Sequence, residues 1–186
     1  MFGNLITNRQ LRALRKDGSI MIEPFDETNL KRTHYTLNPG RILRRSEDGD
    51  WDTAFTFSGK RMQCELKANE YSIVEVKQTI KINSDGIVGR FVTASTNIET
   101  GLLVMAGQID SHYGMNGEAL RFGLKNLLAT PNSLNINSRL AHLEFFDLRG
   151  IAPDPVSRSR AEEAAWLSRR RGPDWERDDA DGVKYE

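Results

Sequence analysis

A single cysteine, Cys64, occurs in 186 residues, so neither an internal disulfide nor a multi-cysteine zinc site can form. Histidine is almost as scarce. His34, His112 and His142 stand far apart, with no H-E-x-x-H and no H-x-E followed by P-C-x-x-C. A metal held by protein ligands alone is not expected. Net charge is missing too: 26 Lys+Arg balance 26 Asp+Glu, which leaves no global field to recruit nucleic acid or anionic lipid. No apolar run approaches the roughly 20 residues of a membrane helix. The start, MFGNLITNRQ, lacks both the basic residues and the apolar stretch of a secretory leader. These absences suit a soluble, cytoplasmic protein without membrane or nucleic-acid partners. The P-loop, the Rossmann glycine fingerprint and the nucleophile elbow of serine hydrolases are absent as well.

What is present suits one domain with an appendage, because 186 residues bury one core well and two poorly. Thr7, Gln10 and Asp17-Gly18 mark the start and stop of a helix whose buried stripe is Leu11 and Leu14. SIMIEPF follows as a short strand with Ile20 and Ile22 on one face and Pro24 at its end. From Tyr35 to Phe146 short β-branched runs alternate with turn signals. The turns are NPG at 38–40, SEDGD at 46–50, SGK at 58–60, NSDG at 83–86 and TPNS at 130–133. The strands between them include TAFTF, YSIVEV, TIKI, IVGRFVT, GLLVMAGQI, EALRFGL, SLNI and RLAHLEFF. About ten closely spaced strands predict a mainly β fold, a sandwich or distorted barrel.

Beyond Gly150 the composition changes. Ser159 and Glu162 form a capping box for a helix over 160–171, Arg169 to Arg171 sit at its C-terminal end, and Gly172-Pro173 stops it. The last dozen residues are acidic. The division is therefore a β domain over 1–150 and a charged extension over 151–186. Trp166 and Trp175 of this extension are suited to anchoring it, whereas Trp51 lies in a polar stretch of the domain.

Five segments carry a resemblance: LRKDGSIMIEPFD at 14–26, YTL at 35–37, EYSIVEVKQTIKINSDGIVGR at 70–90, GLLV and AGQID within 101–110, and RLAHLEFFDL at 139–148. Together and in order they resemble the dCTP deaminase branch of the trimeric dUTPase superfamily. The resemblance implies a distorted β-barrel in a homotrimer with three nucleotide sites at the subunit boundaries. Family deaminases use no zinc; a glutamate, assisted by a Ser-Arg pair, activates water to attack C4 of cytosine. Family dUTPases use an aspartate on the A-G-x-I-D-x-x-Y hairpin to orient water toward the triphosphate, with magnesium. Both need a basic carboxylate within hydrogen-bond reach of the water.

Carried over by position, the resemblance places Ala94 where the family has arginine, with Ser95 and Thr96 keeping the following hydroxyls. Without the guanidinium fork, triphosphate binding weakens. In LRFGLKN at 120–126, Gly123 occupies the position of the deaminase glutamate and offers no proton acceptor. Glu118, five residues earlier, would point to the opposite face of a strand. AGQIDSHYG retains more: Gly107, Ile109, Asp110 and Tyr113 match the nucleoside-binding hairpin, in which the backbone reads the base and the Tyr ring lies against deoxyribose. The preceding H-x-T-A is shortened by about two residues to VMAG, His142 stands where the family has a phosphate-proximal Gln, and Thr36 replaces the aspartate of Y-D-L. No glycine-rich C-terminal lid closes the sequence.

Plainer roles stay open for each residue. Asp110 and Tyr113 suit a turn and a packed edge, Ser95 and Thr96 the end of a strand, and His142 a satisfied strand position. Three functions follow. The first is a degenerate, non-catalytic member of the family that binds a deoxynucleotide or a protein partner. The second is an active dCTP deaminase or dUTP diphosphatase running on Asp110, with Mg²⁺ brought by the triphosphate. The third is a trimeric assembly protein whose 151–186 extension contacts its neighbours.

Overall fold

The computed structural model describes residues 4–105 and 107–149. In chain order the strands are β1 (Asn4–Leu5), β2 (Ile20–Glu23), β3 (Tyr35–Leu37), β4 (Pro39–Arg45), β5 (Trp51–Thr56), β6 (Gln63–Leu66) and β7 (Tyr71–Val76). They continue as β8 (Thr79–Ile82), β9 (Ile87–Thr93), β10 (Leu102–Met105), β11 (Gln108–Ile109), β12 (Arg121–Asn126), β13 (Asn132–Asn135) and β14 (Ala141–Asp147). The helices are α1 (Asn8–Lys16) and the five-residue α2 (Ser95–Glu99). The mainly β expectation holds, N-terminal helix included. The 151–186 extension, with its expected helix over 160–171 and its Trp166 and Trp175, lies outside the described residues.

Helix α1 starts where its sequence says it should. The Thr7 hydroxyl accepts from the Gln10 N–H, while the Gln10 side chain accepts from the Thr7 N–H at 2.9 Å, which closes the capping box. Gly18, at φ +81°, turns the chain out of the helix. Leu11 and Leu14 are buried, and α1 packs on β2, whose Ile20 and Ile22 are fully buried.

All strand pairing is antiparallel. One sheet runs β1-β14-β9-β11, with β3 also paired to β14; the second runs β10-β12-β7-β4-β5. Two ribbons, β13-β6 and β2-β8, complete the described part. Cys64 on β6 lies opposite Leu134 on β13, both buried. Alternation puts Phe91, Leu143 and Phe145 of the first sheet inward with Phe122, Leu124 and Val104 of the second. The rings of Phe91 and Phe122 meet edge to face at 4.9 Å and join the two sheets.

Three sequence expectations are corrected. NPG at 38–40 is not a turn: Pro39 opens β4, where a missing N–H is tolerated, and the register shifts between Pro39 and Arg41. A Cβ at Gly40 would lie 3.0 Å from the Val76–Lys77 backbone, so glycine permits that close crossing. GLLVMAGQI is not one strand, because β10 pairs in the second sheet and β11 in the first. Ser95 and Thr96 do not end a strand but open α2.

Gly114 and Gly117 both have positive φ, at +80° and +78°, yet differ in surroundings. A Cβ at Gly114 would lie 2.0 Å from the Ile80 carbonyl oxygen, and one at Gly117 meets nothing within 4 Å. Gly117→Ala should cost about 1–2 kcal/mol, the penalty of the left-handed conformation alone. Gly114→Ala should cost distinctly more, read as the midpoint of urea unfolding; equal costs would show that the Ile80 contact is unimportant.

Candidate functional site

The segment from β9 through the β10–β11 connection to the following turn carries most of the residues singled out from sequence. Ala94 caps α2 with its backbone and is 1% exposed, so the position that the resemblance aligned with an arginine holds a buried methyl group. Asn97 locks α2 in place, its amide donating to the carbonyls of Arg139 and Leu140 at 2.9 and 2.7 Å. Ser95 and Thr96 are exposed, and their hydroxyls make no hydrogen bond among the described residues.

In the hairpin, the Gly107 carbonyl accepts from the Phe91 N–H, and Ile109 lies over Gly89, where a Cβ would come 2.7 Å from it. Ile109 is 5% exposed and serves the core. Asp110 is exposed and accepts from the Gln108 amide at 2.8 Å. Ser111, which the sequence reading passed over, accepts from the Gly86 N–H and donates to the Ile87 carbonyl, both at 3.0 Å. His112 adopts φ +67° with its Nε2 2.6 Å from Asp85. Tyr113 packs half-buried against the core, and that burial pushes its hydroxyl up to about 12. It is therefore a neutral donor at any physiological pH.

Gly123 lies in β12 between Met105 of β10 and Ile73 of β7. A Cβ there would stand 2.5 Å from Met105 Cε and 2.8 Å from the Tyr71 hydroxyl. The space for a side chain is already occupied. On the same face, two rungs away, is a carboxylate the sequence reading missed: Glu75, opposite Arg121, is 8% exposed. It accepts from Arg41 Nε at 2.8 Å and from Arg121 Nε at 3.1 Å. A charge inside the apolar run YSIVEV was the available signal. Glu118 is not on a strand; it lies in the loop before β12 and accepts from Asn116.

His142 shares a rung with Thr36 on one side and Val92 on the other. Its ring meets that of His34 edge to face at 4.1 Å. Thr36 is 2% exposed and its hydroxyl has no partner among the described residues. The structure thus brings His142 beside Thr36, and α2 beside the start of β14, through the Ala94 N–H to Leu140 contact. It leaves Gly123 in the other sheet. No group of three or more His, Cys, Asp or Glu close enough to hold a metal occurs among the described residues, and none of their helices is long and apolar enough to cross a membrane.

No protein-family model and no curated protein matches this sequence. Solved structures do match. The 2'-deoxycytidine 5'-triphosphate deaminase from Agrobacterium tumefaciens aligns over 79% of this chain with a TM-score of 0.62 and 12% identity. The fold is that of this deaminase, and the chain spans about half of its length, 49%. A Staphylococcus bacteriophage 80alpha dUTPase aligns over 77% of this chain and 94% of its own, with a TM-score of 0.47 and 12% identity. For the EIAV dUTPase the figures are 67% and 98%, with a TM-score of 0.41 and 15% identity.

Burial holds the imidazoles of His34 and His142 below their usual range, and for His142 the neighbouring His34 adds to the effect. The unfolded chain then binds more protons than the folded one just below pH 6.5, so stability is full above that pH and is lost as pH falls through it. Urea unfolding at about pH 7.5 and about pH 5.5, above the carboxylate range, should show this loss, and the double variant His34→Gln/His142→Gln should flatten it. An unchanged slope in the double variant would assign the loss elsewhere.

Proposed function

We propose that the chain is a degenerate member of the dUTPase/dCTP deaminase superfamily that keeps the fold as a homotrimer and has lost deamination. Its function is then to bind a deoxynucleotide or to engage a protein partner, the latter through residues 151–186. One observation carries this reading. Where the resemblance calls for a water-activating glutamate, Gly123 is covered by Met105 and Tyr71, and no acidic side chain could stand there without displacing both. The nearby Glu75 does not substitute. Arg41 donates to one of its oxygens and Arg121 to the other, so neither oxygen is left to position a water.

Nucleotide contact falls to the groups left free: the exposed hydroxyls of Ser95 and Thr96, the Asp110 carboxylate, Tyr113 and His142. Magnesium belongs to the ligand in this reading, arriving with a triphosphate rather than on protein donors. The second reading, an active enzyme, draws on Asp110. Its carboxylate is exposed and, among the described residues, held only by Gln108, as a water-orienting group would be.

The purified full chain with dCTP or dUTP and Mg²⁺ should show no turnover near ordinary enzyme rates, and a deoxynucleotide should raise its melting temperature by mass action. Turnover that Asp110→Asn abolishes would establish the second reading instead. No thermal shift with any deoxynucleotide would leave a trimeric assembly role, which deletion of 151–186 and a partner assay would expose.

A further inference from the structure

Between β2 and β3 the chain folds back over the β7–β8 turn and the residues before β14, and encloses a cavity of about 690 Å³. Its walls include none of Ser95, Thr96, Asp110, Tyr113 or His142. The volume is that of a small-molecule site, but the lining is polar where most such sites are apolar.

The walls are fixed before any ligand arrives. Asn38 is their hub: its amide oxygen accepts from Gln78 at 3.0 Å and from Asn29 at 2.7 Å, its amide nitrogen donates to the Ser138 carbonyl, and its N–H donates to the Gln78 oxygen at 3.1 Å. The covering loop is pinned as well, since the Tyr35 hydroxyl accepts from the Asp26 N–H at 2.9 Å and Glu27 pairs with Arg12 at 2.9 Å. Rigid walls reduce the ordering cost of binding.

Charge then selects the ligand. Of the two acids of the lining, Glu27 is paired with Arg12, whereas Asp26 accepts from the N–H and hydroxyl of Thr28 at 2.8 and 2.7 Å and keeps its charge, so three cations, Lys31, Lys77 and Arg139, stand against one carboxylate. Lys77 and Arg139 make no side-chain hydrogen bond or ion pair among the described residues, and both face this cavity. Its lining also holds Thr36, whose buried hydroxyl has no partner among the described residues. An excess of positive charge beside an orphan hydroxyl and a rigid amide wall describes a receptor for an anion with a polar body.

We infer that this cavity binds a small phosphorylated molecule with a hydrogen-bonding body. Its phosphoryl group lies between Lys77 and Arg139, a point charge and a bidentate fork, and its body lies along Asn38 and Gln78 toward Thr36. Ser95, Thr96 and Asp110 do not line this cavity, although Thr36, which shares a rung with His142, does. Calorimetry on the full chain with ribose 5-phosphate, inorganic pyrophosphate and unphosphorylated ribose tests it. Both phosphorylated probes should bind and ribose should not. The double variant Lys77→Ala/Arg139→Ala, shown folded by circular dichroism, should lose at least about tenfold in affinity, whereas Ser95→Ala/Thr96→Val should lose none. Thr36→Val should weaken ribose 5-phosphate binding while the free protein melts no lower than wild type. Absence of binding by both phosphorylated probes, an unchanged affinity in the Lys77 and Arg139 variant, or an equal loss in the Ser95 and Thr96 variant would overturn the proposal.

Discussion

Seven consecutive residue pairs join β9 to β14, from Thr93 opposite Ala141 to Ile87 opposite Asp147, and the rest of the described structure hangs on that register. A slip by one residue would turn Phe91, Leu143 and Phe145 outward and Arg90 and Glu144 inward. The ladder also fixes what surrounds it. β11 lies on the far edge of β9, β1 and β3 line the far edge of β14, and α2 begins where β9 ends. Arg90 and Glu144, paired at 2.7 Å across the outer face, reinforce the alignment at an exposed position where such a pair contributes little by itself. Burial of the inner face supplies the specificity.

The second sheet shows how flanking strands cover a position that carries no side chain. At residue 123 a glycine pairs with both neighbouring strands, and Met105 and Tyr71 fill the space that a side chain would take. Tyr71, which also meets Trp51 edge to face at 5.9 Å, and Met105 are large and half-exposed, and they cover the glycine from the two flanking strands. A flexible thioether suits that role because it fits irregular spaces. Two residue pairs along the same face lies the Arg41–Glu75–Arg121 cluster, in which one buried carboxylate is shared by two guanidinium groups.

Much of the architecture was legible in the sequence, and the reasons are local. Thr7 and Gln10 are a complete start signal, and YSIVEV, TIKI and IVGRFVT became β7, β8 and β9 at the boundaries their alternation implied. Failures occurred where a distant contact overrides the local pattern. NPG reads as a turn until the approach of β7 to Gly40 is known, and RILRR hides a strand because its arginines find Glu75 and Glu70 across the sheet. The candidate site was legible as identities but not as geometry. Gly123 and Ala94 could be named from the sequence. That Ile109 turns inward, that Ser111 pins the turn, and that Asp26 and Glu27 are already satisfied beside a cationic cavity depends on tertiary contacts that no spacing encodes.

The placement of Cys64 makes the molecule its own gauge of opening. Burial between β6 and β13 pushes its thiol up, which suppresses the reactive thiolate as well as access to it. Alkylating reagents can therefore reach this sulfur only when that ribbon parts from the core. Because the sequence holds no other cysteine, the modified fraction counts such excursions directly, without an engineered label.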